Sequence, residues 1–270
     1  FIVDGKLCDK IYLSAFEAWI YDTSASKYDL LDAIAADFTA DKISSIAGAK
    51  PMSGNTNNLT RANTRKLAHN RGDGWEQSIV QTVCASELLM LVEYASFNMQ
   101  AAIGDGVVSK PSGTGNESEV TGGSSSLGNK SGVVVNANNQ KIVSYRGEEN
   151  PWGDLWTWFD GVNIKNPAAF AKGDFTEAVY VADHEFADDT SADPYVETGL
   201  YPAYYDWAYI SAFCYSEAFD WMFLAGETAG NSSLPVGDCS QNPQPNWRVA
   251  RLGAGWGGGS AAGAFCWALY

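Results

Sequence analysis

The sequence predicts an α+β domain, and three observations carry that reading. From about Trp75 to Ala102, Ile79, Val80, Val83, Cys84, Leu88, Leu91, Val92 and Ala95 recur at three- and four-residue steps, the period of a long amphipathic helix. Val133–Val135 and Lys141–Tyr145 flank the Asn-rich stretch Asn136–Gln140, the pattern of a hairpin. The aromatic residues Trp152, Trp156, Trp158 and Phe159 then punctuate a segment that reads as a turn followed by a buried strand.

The remaining elements follow in chain order. Ile11, Leu13, Phe16 and Ile20 are spaced between strand and helix, and residues 1–47 are expected to pack on the domain formed by residues 48–270. Tyr28–Phe38 places Leu30, Leu31, Ile34 and Phe38 on one helical face. Residues 48–58, Gly/Asn-rich around Pro51, read as a loop, and Leu59–His69 as a second short helix. Asp73 is the expected N-cap of the long helix, Glu76 complements its dipole, and Gly104 and Gly106 end it. Residues 108–132, rich in Ser and Gly, read as a long surface loop or a flexible insertion, and residues 166–206 alternate aromatic stretches with acidic loops. No internal repeat divides the chain.

With 270 residues, 46% of them hydrophobic and 18% charged, the chain buries a substantial core and is not a disordered polypeptide. Its formal charge of −15 and scattered basic residues exclude a phosphate backbone as partner. No apolar run reaches the ~20 residues of a membrane span: Glu93 cuts the best one, and Glu217 and Asp220 interrupt the aromatic run from Trp207 to Leu224. Phe1 opens no secretory-leader pattern.

Catalytic signatures are weak. His69 and His184 are the only histidines, so a His-rich metal site is excluded. Cys8, Cys84, Cys214, Cys239 and Cys266 show no CxxC spacing and read as scattered buried thiols, with one bridge possible. Asp183, Glu185, Asp188 and Asp189 lack the spacing of an EF-hand and, like Glu148-Glu149, read as solvated acids. No G-x-S-x-G elbow occurs, and Gly253–Gly263 lacks the Lys and Ser/Thr of a phosphate loop. Neither a catalytic residue, a metal nor a cofactor is expected.

Three blocks together are more specific. They are Asn70-Arg71-Gly72-Asp73-Gly74-Trp75-Glu76-Gln77 with the following helix to Gly104, then Ser144–Gly153 continuing to Trp158–Ile164, and then Arg248–Trp267. In this combination the chain resembles the variable proteins of diversity-generating retroelements. These are phage, archaeal-virus and microbial surface proteins with a C-type-lectin fold related to formylglycine-generating enzymes.

The resemblance implies a C-type-lectin-like domain with a variable region at about 247–270. The family's template, G-G-N-W-N-N-G-S-N-A-G-x-F-x-x-N-x-N, lays its mutable Asn positions on Gly255, Gly257, Gly258, Ala261, Ala268 and Tyr270. All are reached from an Asn codon by changing adenines. Trp256, Gly259, Ser260, Gly263 and Phe265 match the invariant part, and Ala254 departs from it. Physically, Trp256, Phe265 and Trp267 are expected to pin the segment by burial, while the side chains between them face solvent and vary at little cost. Tyr270 and the nearby Trp247 are the expected contact residues, because Trp, Tyr and Arg dominate binding energies.

The implied function is recognition of a protein or other surface ligand of a host or neighbouring cell, from a virion tail or a microbial cell surface, by equilibrium binding without chemistry. Glu-Pro-Asn and Trp-Asn-Asp are both absent, so calcium-dependent sugar binding is not expected. The alternative is an oxidase-like enzyme related to formylglycine-generating enzymes, with Cys266 and Cys214 as its thiol pair.

Overall fold

Strands dominate the computed structural model, which describes residues 1–28, 36–54, 58–111, 113 and 115–270. Residues 29–35 of the helix expected over Tyr28–Phe38, and residues 55–57 of the 48–58 loop, lie outside the described residues. In chain order, β1 (Ile2–Val3) and β2 (Lys6–Leu7) form a ribbon, and β3 (Ala18–Asp22), β4 (Lys27–Tyr28) and β5 (Lys42–Ser45) a small sheet. Helices α1 (Arg61–His69), α2 (Val80–Tyr94) and α3 (Met99–Ala102) follow. The predicted hairpin forms as β6 (Gly132–Val135) and β7 (Lys141–Tyr145), with Val133 opposite Val143, and β8 (Glu148–Glu149) extends it.

The remaining strands are β9 (Thr157–Asn166), β10 (Ala178–Val181), β11 (Val196–Glu197), β12 (Tyr205–Tyr209), β13 (Ala212–Phe213), β14 (Ala225–Glu227), β15 (Cys239–Asn242), β16 (Asn246–Gly253) and β17 (Gly263–Leu269). β13 and β14 pair as a ribbon, and the other seven build one sheet in the order β11-β10-β9-β16-β17-β15-β12. Its contacts are antiparallel except β15–β17, which is parallel at Gln241 and Ala268.

The long helix differs from expectation. It covers Val80–Tyr94 only, ends at Ala95 in the left-handed region (φ 49°), and is followed by the short α3. Residues before it are drawn away from helix by the sheet: Ile79 bridges Asp160 in parallel, and Asp160 N donates to Ser78 O at 2.8 Å. Ile79, rather than Asp73, occupies the cap position, and Glu76 instead meets His69 at 2.7 Å. The helix is not amphipathic in the expected sense, because Leu88, Leu89 and Val92 are exposed while Glu87 is buried.

One sheet face is closed by α2. Val80 and Cys84 pack there against Phe159, Val162, Ile164, Ala250, Leu252, Trp267 and Leu269. Burying each such large apolar side chain contributes ~1.5–3 kcal/mol. A second cluster joins α2 and α3 to the hairpin and to Phe265, whose ring lies 5.4, 5.9 and 5.2 Å from those of Phe97, Phe213 and Phe223. A third holds the amino-terminal segment: Trp19 and Ile20 pack with Ala49, Met52 and Leu67 of α1.

Two stretches read as solvated are structural. In 108–132, Val108, Asn116, Ser118, Glu119, Thr121 and Ser124 are buried. Their polar groups are met locally: Asn116 Nδ2 donates to Pro51 O at 2.6 Å, and Glu149 accepts from Gly122 N and Ser124 N at 2.7 Å each. In the acidic stretch, Asp188 joins Arg61 and Arg65 of α1 with the buried Asp160 of β9. Arg61 is fully buried and also donates to Val162 O and Asn163 Oδ1.

No helix among the described residues is long and apolar enough to cross a membrane.

Candidate functional site

The backbone of the Gly-rich segment between β16 and β17 is held from several directions. Gly153 N donates to Gly253 O at 2.9 Å, Trp256 N to Asp154 O at 2.8 Å, and Gly259 N to Val108 O at 2.9 Å. Lys110 N donates to Trp256 O at 2.8 Å, and Gln100 Nε2 to Gly259 O and Ala262 O at 3.1 and 2.6 Å. Tyr209 and Ser260 share a hydroxyl contact at 2.8 Å. Trp256, Phe265 and Trp267 are buried, and Trp267 stacks edge-on with Phe159 at 5.0 Å while its indole N–H donates to Glu87.

Two acids lie beneath this segment. Glu17 Oε1 accepts from Leu155 N at 3.1 Å, and the Asp154 carboxylate accepts from Glu119 N. The Glu17 and Asp154 carboxyls interact with each other. Burial pushes Asp154 up to about 6 and Glu17 well above the usual carboxylate range, so the pair retains a proton where free carboxyls have lost theirs.

Above the segment, the sheet face opposite α2 carries an aromatic shelf. Arg251 is in register with Trp158 on one side and Ala268 on the other, and Ala268 with Gln241, so these side chains share a face. The Arg251 guanidinium carbon sits 4.5 Å from the Trp156 ring centre, 4.3 Å from Tyr270 and 5.9 Å from Trp158. Trp207, 40% exposed, meets Trp156 at 6.0 Å. The shelf lines part of an open groove of ≈ 1760 Å³. Burial lowers the Arg251 pKa from its ordinary value.

The residues singled out in the sequence divide. Tyr270 is 56% exposed on the shelf, Gly257 is exposed, and Gly255 is partly exposed beside Trp156. Ala261 and Ala268, expected to face solvent, are buried. Ala261 is folded inward by the 3₁₀ turn Gly259–Ala261, and Ala268 lies in an inner strand between the long side chains of Arg251 and Gln241. Gly258 is crowded: a Cβ there meets Ala254 Cβ at 2.9 Å and Ala262 Cβ at 3.1 Å. Trp247 stands apart, near the start of β16, against Tyr180 and Lys165.

Sequence reasoning missed Arg251, Trp156, Trp158 and Trp207. The two-residue step from Trp156 to Trp158, out of phase with the core residue Phe159, is the signal that separates an outer aromatic pair from an inner one.

The rival thiol pair is not assembled. Cys214 packs on the α2 cluster, whereas Cys266 is fully buried with Ala254 and Ala262; all five cysteines are free. Burial raises the thiol pKa of both, which disfavours the nucleophilic thiolate. Among the described residues, no group of three or more His, Cys, Asp or Glu side chains is placed to hold a metal ion.

No protein-family model matches the chain, and no curated protein matches it.

Tolerance should separate the glycines. A Cβ at Gly255 meets only ordinary contacts, 3.5 Å or more from its neighbours. Gly255→Tyr is therefore expected to change stability by no more than about 0.5 kcal/mol, and Gly258→Tyr to cost about 1–3 kcal/mol. Thermal unfolding of the two variants checks this; equal losses would show that Gly255 is also confined.

Proposed function

We propose that this protein is a C-type-lectin-like binding protein of the retroelement-diversified kind. It recognises a protein on a host or neighbouring cell from a virion tail or microbial surface, and its action is equilibrium binding. The observation that carries this reading is the contrast within one segment: a backbone fixed by framework hydrogen bonds, with Gly255, Gly257 and Tyr270 open to the outside. Such a platform presents different side chains without refolding. The burial of Ala261 and Ala268 removes those two positions from the display set. Trp156, Trp207 and Arg251 supply a fixed contact surface of the residue types that anchor interfaces. The net charge of −15 favours a protein target over a nucleic acid.

A displayed library randomised at Gly255, Gly257 and Tyr270 tests the reading. Most members should fold with unfolding midpoints close to the parent, and selection on a panel of purified surface proteins should yield binders. Widespread unfolding, or no enrichment on any target, would refute it. The genetic claim has its own test: a template repeat with adenines at the codons for residues 255, 257 and 270, beside a reverse-transcriptase gene.

A further inference from the structure

Every other arginine of the chain has an oxygen partner. Arg61 and Arg65 hold Asp160 and Asp188, Arg146 pairs with Glu93 at 3.1 Å, Arg71 donates to Ile43 O at 3.0 Å, and Arg248 donates to Pro245 O at 2.8 Å. Arg251 makes no hydrogen bond or ion pair with any described residue, and its Nε is buried without a partner. This occurs in a chain whose Asp and Glu outnumber Lys and Arg by 32 to 17. The guanidinium contacts the rings of Trp156 and Tyr270, which satisfy none of its N–H donors. What the site lacks is a planar acceptor, and a carboxylate fits the guanidinium fork with two parallel hydrogen bonds.

We infer that Arg251 receives one carboxylate of the bound partner, the side chain of an Asp or Glu presented by a protein target, with flanking apolar atoms of the target against Trp156, Trp207 and Tyr270. This rests on the binding-protein reading above and names the chemistry of that same face. An unpaired guanidinium on a strongly negative molecule selects one carboxylate and repels a polyanion. Aromatic walls exclude water from the ion pair and so strengthen it.

The test uses the full chain and small probes, so it needs no knowledge of the natural target. N-acetyl-glutamate methylamide, titrated against the labelled protein, should shift the Arg251 Nε–H and the Trp156 and Trp207 indole resonances saturably. The uncharged glutamine analogue should bind at least tenfold more weakly. Arg251→Gln should abolish the discrimination and Arg251→Lys restore part of it, with unfolding midpoints recorded for both. Because the two probes are compared on the unaltered protein, a misfolded variant does not spoil the result. Equal response to both probes, or no saturable response, overturns the inference; tighter binding of glucuronic acid overturns the assignment to an acidic side chain. Probe binding with a failed library selection would sink the display reading alone. Library binders indifferent to Arg251→Gln would sink this inference alone.

Discussion

Arg61→Leu is expected to destabilise the protein by about 3–5 kcal/mol, because it strips a buried ion cluster of its central cation. Arg61 is fully buried, lies 2.6 Å from Asp188 and 3.5 Å from Asp160, and satisfies Val162 O and Asn163 Oδ1 as well. Its loss leaves Arg65 as the sole cation for both carboxylates and orphans two acceptors. The cluster ties α1, the middle of β9 and the acidic stretch together, so the damage should be global. Denaturant unfolding measures it, and a loss below about 1 kcal/mol would mean that water replaces the guanidinium without difficulty.

Raising the pH from about 5 to about 8.5 should cost several kcal/mol, by linkage to buried acids. Burial pushes Glu87 up to about 8 and Asp154 to about 6, and raises Asp238 well above the carboxylate range. In each case the folded pKa exceeds the unfolded one. The unfolded chain therefore ionises first as the pH rises, and stability falls until the folded group ionises too. The loss ends near pH 6 for Asp154 and near pH 8 for Glu87. Asp188, whose pKa the neighbouring arginines lower against the cost of burial, works in the opposite sense and weakens the fold in strong acid. Stability should therefore peak in mild acid. Unfolding midpoints across this range check the sign, and a flat or rising profile would contradict it. Glu87→Gln, which mimics the protonated form, should be almost neutral at the acid end and stabilising at the alkaline end.

Local signals in the sequence located the local elements. The β6–β7 hairpin and α1 follow from turn composition and short-range periodicity, and both form close to their expected bounds. The start of α2 did not follow, because Ser78 and Ile79 are claimed by β9, a strand far away in sequence. The stretch 108–132 misled for a related reason: Ser, Asn and Gly look solvated in a sequence, but here they are satisfied inside by distant partners, the Pro51 carbonyl and the Glu149 carboxylate. At the proposed binding face, Gly255, Gly257 and Tyr270 are the positions picked out by the resemblance that are also at least partly exposed. Ala261 and Ala268 show its limit, since a mutable codon says nothing about which way a side chain points. Arg251 was hidden because its surroundings come from β9, β12 and β17, whose pairing leaves no local trace.

β17 is the last of the described strands, yet it sits inside the large sheet between β16 and β15. During synthesis those two strands wait with bare edges until residues 263–269 emerge from the ribosome. Phe265 and Trp267, each the keystone of a different core, arrive at the same moment. The nascent polypeptide therefore cannot close this sheet before residues 263–269 have emerged, and must stay shielded from its neighbours until then.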